Sequence, residues 1–210
     1  VEGDGKTVAI DFCPCLPHGK YILTVWGGLD ELSQLSDDRL SMLIHPDKVQ
    51  GNDVYLLNAT LVYDAYNYDY TLEMERIKGK LVVLAENLPD NFDMVHIDAN
   101  NLYGKVSANF EYSDEASVCN KVAIASTSLI KTATYMAPSI MTDGTVLDVN
   151  FVKENNSSGK LLLIPDDVKI SMERNKITML KYVFNKEEDK FYIYIKVNDN
   201  WEVVHGMILD

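Results

Sequence analysis

The sequence predicts an all-β protein of the sandwich or barrel kind. Polarity alternates with a period of two, turn-forming residues recur at short intervals, and helical periodicity is scarce. Side chains on a strand point alternately to opposite faces, so such alternation marks one buried and one wetted face, the pattern of antiparallel sheets. Lys105–Tyr112 is the clearest case: Val106, Ala108, Phe110 and Tyr112 alternate with Lys105, Ser107, Asn109 and Glu111. Phe191–Val197 and Thr7–Phe12 repeat it, with Phe191, Ile193, Ile195 and Val197 on one face, and Val8, Ile10 and Phe12 on one face.

Further strands are expected at Lys20–Trp26, Val54–Tyr63, Tyr70–Leu84, Met94–Asp98, Lys121–Lys131, Val146–Val152, Lys160–Ile164 and Lys176–Phe184. Turn-rich pieces separate them, among them Leu16-Pro17-His18-Gly19, Leu88-Pro89-Asp90-Asn91, Asn155–Gly159 and Pro165-Asp166-Asp167. One short helix is expected at Ser36–Ile44, with Ser36 as N-cap, Asp37 and Asp38 in its first turn, and Pro46 as its stop.

A boundary is expected within Asp64–Asp69, dividing the chain into a first unit over 1–66 and a second over 67–210. The first has only about three strands where sheets hold about four to six, so it is expected to be incomplete and to need a strand from elsewhere. Tyr63, Tyr66, Tyr68 and Tyr70 crowd this boundary. They read either as a seam that buries rings and wets hydroxyls, which is the expectation here, or as an exposed platform for sugars or partner pockets.

Composition narrows the function. The 210 residues are 47% hydrophobic and 24% charged, an ordinary globular balance, and the net charge is −13. So acidic a chain repels nucleic-acid phosphates and anionic membrane surfaces. No stretch approaches the roughly 18 apolar residues of a membrane span, so direct insertion is not expected. The chain opens at Val1 without a methionine and reads as a mature or trimmed form, which leaves room for a secretory leader before it.

No catalytic or cofactor constellation is legible. Trp26-Gly27-Gly28 ends a strand and lacks the helix start that a phosphate loop needs. The four histidines (His18, His45, His96 and His205) show no ligand spacing, and His96 is expected to face water. Glu187, Glu188 and Asp189 read as a charged hairpin tip, and Asp93 with Asp98 would need a cleft to serve as an acid–base pair. Cys13 and Cys15, flanking Pro14, and the distant Cys119 complete no metal site and are expected to be buried or free thiols. The expectation is therefore no enzyme, with no catalytic, cofactor-binding or metal residues and no cofactor.

Three stretches carry a resemblance. Leu16-Pro17-His18-Gly19-Lys20-Tyr21 running into Val25-Trp26-Gly27-Gly28-Leu29 resembles an element of the first domain of fimbrial anchor and accessory subunits of the Bacteroidetes-type fimbrillin-like family. Met74–Val83 with Asn87-Leu88-Pro89 resembles the opening of that family's second domain, and Ile170–Trp201 is similar to its closing element. The resemblance leans toward the anchor or accessory branch. It implies two transthyretin-like antiparallel β-sandwich domains, export through a lipoprotein precursor, and a place in cell-surface fimbriae on the outer membrane. It also implies other fimbrial subunits as partners, joined by adding a strand from one subunit to another, with a host protein or glycan as a further ligand. A lipobox cysteine and the strands that would precede Val1 are missing from the pattern. The competing expectation is a stand-alone β-sandwich adhesin that binds carbohydrate or host protein.

Overall fold

The computed structural model describes residues 9–12, 15–89, 92–124, 129–142, 144–153, 161–197 and 200–205. Its strands, in chain order, are β1 (Gly19–Gly27), β2 (Ser41–Leu43), β3 (Tyr55–Tyr63), β4 (Glu75–Arg76), β5 (Gly79–Glu86), β6 (Met94–Ser107) and β7 (Tyr112–Ala123). They continue with β8 (Leu129–Met136), β9 (Thr145–Lys153), β10 (Leu161–Leu163), β11 (Val168–Ile170), β12 (Ile177–Asn185), β13 (Lys190–Val197) and β14 (Asn200–His205). Among the described residues the only helical pieces are single 3-10 turns at Leu32–Gln34 and Pro46–Lys48, and no helix is long and apolar enough to cross a membrane.

These strands form three sheets. A three-stranded sheet runs β1-β3-β4, and a six-stranded one runs β10-β9-β6-β2 with β11 beside β9 and β7 beside β6. A five-stranded sheet runs β14-β13-β12-β5-β8. Pairing is antiparallel except between β5 and β12, where Leu81 to Ala85 run parallel to Thr178 to Tyr182. The two larger sheets stack as a sandwich because their alternating apolar residues share one core. Val95, Ile97, Leu147, Val149 and Phe151 face Leu81, Val83, Leu180 and Tyr182, all buried. Across the layers the Phe151 ring stacks on Phe191 at 5.5 Å and meets Tyr182 edge-on at 6.1 Å. Each large side chain so buried contributes about 1.5–3 kcal/mol.

The small sheet is tied to this sandwich from both directions. β2, between β1 and β3 in sequence, pairs with β6 through Met42 and Val106, while β4 pairs with β3 through Glu75 and Leu56. Met42, Ile44, Val54, Leu56 and Ile77 join the sandwich core as one cluster. Two buried polar groups clamp the connection. The Lys78 ammonium, fully buried, donates to the carbonyl oxygens of Gln50 at 2.6 Å and Asn52 at 2.9 Å. His45 bonds the Val49 carbonyl through Nδ1 at 3.0 Å, and its Nε2 accepts the Ala137 N–H at 2.9 Å. A buried polar group without such partners would cost 1–3 kcal/mol or more, so these bonds fix the 45–53 segment.

Several local expectations are corrected. Ser36–Ile44 is not a helix: Arg39 N–H bonds the Ser36 carbonyl, Asp38 accepts from Ser36 Oγ at 2.6 Å and from Leu40 N–H at 3.0 Å, and β2 follows. Serine and aspartate here satisfy turn donors, which is the competition that keeps such residues out of helix interiors. Lys105–Tyr112 is not one strand but the β6–β7 hairpin turn, in which Phe110 N–H bonds the Ser107 carbonyl and Phe110 takes φ 61°. That left-handed position is one glycine usually fills. Tyr70–Leu84 breaks into β4 and β5 where Lys78 turns inward, and Lys121–Lys131 separates into the end of β7 and the start of β8. Of Thr7–Phe12, Thr7 and Val8 lie outside the described residues, and Ala9 to Phe12 are exposed and form no strand. The polar stretch Ser113–Asn120, passed over as sequence, is most of β7.

Candidate functional site: an open sheet edge and its groove

The small sheet has two edges, and they differ. Residues 54, 56, 58, 60 and 62 of the β3 segment direct their backbone groups away from β1: Ile77 N–H bonds the Val54 carbonyl, and the Tyr70 hydroxyl bonds both the N–H and the carbonyl of Val62. The register pairs Lys20 with Val62, Ile22 with Thr60, Thr24 with Asn58 and Trp26 with Leu56. Opposed residues of a non-hydrogen-bonded antiparallel pair both point their N–H and C=O outward. Ile22, Thr24 and Trp26 therefore present backbone donors and acceptors to the far edge of β1, and among the described residues no strand pairs there. Tyr70 blunts one edge of the sheet with a side chain. The other stays a template for a further strand.

Beside the open edge lies a groove of about 470 Å³ and mixed polarity, with Ile22, Thr24 and Trp26 on one side and Leu29, Leu32, Leu35 and Leu40, together with Asp38 and Arg39, on the other. Ile22 is 74% exposed, Leu32 70% and Leu40 51%. The loop that forms the second wall is held in place rather than free. Gly28 sits at φ 76°, where a Cβ would collide with the Asp53 carbonyl oxygen, so only glycine permits the sharp exit from β1. The buried Gln34 side chain accepts the N–H groups of Asp30 at 3.1 Å and Glu31 at 3.3 Å. The indole Nε1–H of Trp26 donates to the Arg39 carbonyl at 2.9 Å, joining the strand to the far lip. At the strand's start the Tyr21 hydroxyl donates to the Pro17 carbonyl at 2.7 Å. The Leu16–Tyr21 and Val25–Leu29 stretches singled out in the sequence thus build this edge.

No catalytic arrangement assembles elsewhere among the described residues, and no cluster of His, Cys, Asp or Glu there could hold a metal ion. Three strongly shifted groups are clamps. Burial, followed by the nearby Lys78 charge, holds the His45 imidazole down at about 3. Burial brings Lys78 down to about 8 against the opposing pull of Asp30 and Asp53. Burial pushes the Tyr112 hydroxyl up to about 12 while it donates to the Ile77 carbonyl at 2.7 Å. Each of these three serves a backbone partner, and they lie on separate elements; burial also raises the Tyr182 hydroxyl, which finds no hydrogen-bond partner among the described residues. Asp98 faces Cys119 and Asp148 across the ladder on the outside of the sandwich. His96 is half-buried on β6, Cys119 is an exposed free thiol, Cys15 is exposed, and Cys13 and His205 lie outside what can be described of side chains. Glu188 sits at the β12–β13 turn, as expected of a hairpin tip, bonded by Tyr192 and Lys190.

The tyrosine run is not a buried seam. Tyr66 is 91% exposed and Tyr68 72%, while Asp64 accepts the N–H groups of Tyr66 and Asn67 and holds the turn that carries them. Tyr63 is half-buried against His18, and Tyr70 bonds Val62. The sequence supplied the aromatic cluster, but the Tyr70–Val62 bond spans eight residues and leaves no periodic trace.

No protein family and no curated protein matches the chain. Solved structures do. A candidate adhesin from Bacteroides thetaiotaomicron superposes with TM-score 0.58 at 12% identity, over 90% of this chain and 79% of that one. A candidate cell adhesion protein from Bacteroides uniformis gives 0.54 at 12% identity, over 87% and 73%. A candidate polysaccharide-binding protein from Bacteroides thetaiotaomicron gives 0.52 at 11% identity, over 90% and 78%. The fold is shared with these Bacteroides structures and is consistent with the fimbrillin-like resemblance read from the sequence.

Proposed function

We propose that this protein is a non-enzymatic structural and adhesive subunit of cell-surface fimbriae, which joins its neighbours by accepting a β-strand along the open edge of β1. The observation that carries the reading is the coincidence of two features on the same residues. Ile22, Thr24 and Trp26 offer edge backbone that no strand pairs among the described residues, and their side chains line a groove whose far wall carries four leucines. An incoming strand would satisfy both at once. Each ladder hydrogen bond contributes about 0.5–1.5 kcal/mol, and covering Ile22, Leu32 and Leu40 adds up to about 1.5–3 kcal/mol each.

The same reading divides the chain at the tyrosine run into a first unit over 1–66, lacking one strand, and a sandwich over 67–210, with β2 and β4 as straps between them. It places the protein at the outer membrane surface after export as a lipoprotein, with other fimbrial subunits as partners. The adhesion descriptions of the superposable structures are in keeping with it. A second reading, a stand-alone sugar-binding adhesin, is favoured by the exposed rings of Tyr66 and Tyr68 and by the polysaccharide-binding description of one superposable structure.

Ile22→Pro separates the two. The Ile22 N–H points away from β3, so proline removes an edge donor and leaves the β1–β3 ladder whole. Cells expressing the variant should show it folded but absent from sheared surface fibres. Incorporation equal to wild type would contradict strand acceptance at β1, and glycan-array binding by the variant would then favour the second reading.

A further inference from the structure

The outer face of the five-stranded sheet is opposite in sign to the rest of the molecule. Alternation along β5, β8, β12 and β13 sends Leu81, Val83, Leu180 and Ile193 into the core, and their neighbours outward. Five of those outward positions are lysine: Lys80, Lys131, Lys181, Lys190 and Lys196. With its β12–β13 tip (Lys186, Glu187, Glu188 and Asp189) and Glu86 included, the face holds six lysines and four acids, about +2 within a chain of −13, which leaves −15 on the remainder. Three lysines lie over tyrosine rings of the same face: Lys80 over Tyr135 at 5.5 Å, Lys181 over Tyr194 at 5.4 Å and Lys190 over Tyr192 at 5.0 Å. Between them Val82 is buried and Leu84 and Met179 are half-buried, while Ile177 on β12 and Leu129 on β8 stand exposed at 60% and 53%.

We propose that this face is a lateral docking surface for the acidic surface of a second copy of the chain. Exposed apolar side chains set among charged ones suit a contact between folded surfaces, and a flexible polyanion has no use for them. Charge complementarity names the copy, because the chain outside this face is itself the acidic partner required. The contact is separate from strand acceptance at β1 and does not depend on it.

Net repulsion between two acidic copies acts over the Debye length, whereas the docked charges meet at contact distance. Association should therefore be strongest near ~0.1 M salt, where screening spans about 10 Å, and weak at ~1 M, where it spans about 3 Å. Sedimentation velocity on the full chain tests this. Wild type should self-associate at ~0.1 M salt and dissociate at ~1 M, and Lys80→Glu with Lys131→Glu should weaken association at least tenfold. The neutral pair Lys80→Gln with Lys131→Gln serves if charge reversal impairs folding, and Ile22→Pro should leave this contact unchanged. A monomer at both salt concentrations, or association unaffected by the lysine changes, would overturn the proposal. So would heparin binding in place of self-association.

Discussion

The indole Nε1–H of Trp26 donates at 2.9 Å to the main-chain oxygen of Arg39, thirteen positions further on, closing the chain between them into the second wall of the groove. Two leucines of that wall are thereby held open to solvent across from Ile22. Trp26→Phe keeps an aromatic ring but loses the donor. It should cost about 0.5–1.5 kcal/mol in urea unfolding and reduce fibre incorporation. An unchanged midpoint would show that the wall stands without this bond.

The two edges of the small sheet should respond in opposite ways to chemistry at their backbones. Tyr70→Phe removes the hydroxyl that occupies Val62 and exposes a second edge. Stability should fall by less than about 1 kcal/mol, because water replaces the lost partner. Aggregation, followed by light scattering, should rise. A large loss of stability without aggregation would instead make Tyr70 a structural pin.

Acid should destabilise the fold through His45. Its imidazole titrates near 6.5 when unfolded and at about 3 when folded. Above 6.5 both states are neutral and the His45 contribution is complete. As pH falls from 6.5 toward 3, the unfolded chain takes up a proton that the folded one refuses, and stability declines by at most about 1.4 kcal/mol per pH unit. His45→Gln should be less stable at pH 7 yet lose less on going to pH 4. Parallel pH profiles for variant and wild type would show that the acid sensitivity arises elsewhere.

Core and turn positions should separate cleanly. Ile97 is fully buried between the sheets, so Ile97→Ala should cost about 2–5 kcal/mol. Phe110 is half-buried at a left-handed turn position, with the Arg174 guanidinium 4.6 Å from its ring centre. Phe110→Ala should cost less than Ile97→Ala in the same unfolding assay, and equal costs would return Phe110 to the core.

Phe110 also marks where the sequence was legible and where it was not. Alternation correctly assigned Val106 and Ala108 to the buried side, then carried the pattern through a turn, because phenylalanine holds a position where glycine would have announced the reversal. β6 was read only at its two ends, whereas β9, β12 and β13 were legible because each buries one regular face. β7 was not: an edge strand beside β6, it keeps polar residues on most of its length. Ser36–Ile44 carried helix-start chemistry that equally serves a turn, and pairing of Met42 with Val106, distant in sequence, decided between them. At the site, the Leu16–Leu29 element could be read directly. Which edge stays open could not, since it depends on Tyr70 reaching back to Val62.

Site-resolved amide hydrogen exchange along β1 of the isolated chain tests the central claim most directly. The Leu23 and Val25 amides bond to β3 and should be protected, whereas those of Ile22 and Thr24 face the open edge and should exchange near the unprotected rate, becoming protected in assembled fibres. Protection of Ile22 and Thr24 in the isolated chain would mean the edge is already covered, and would contradict the account.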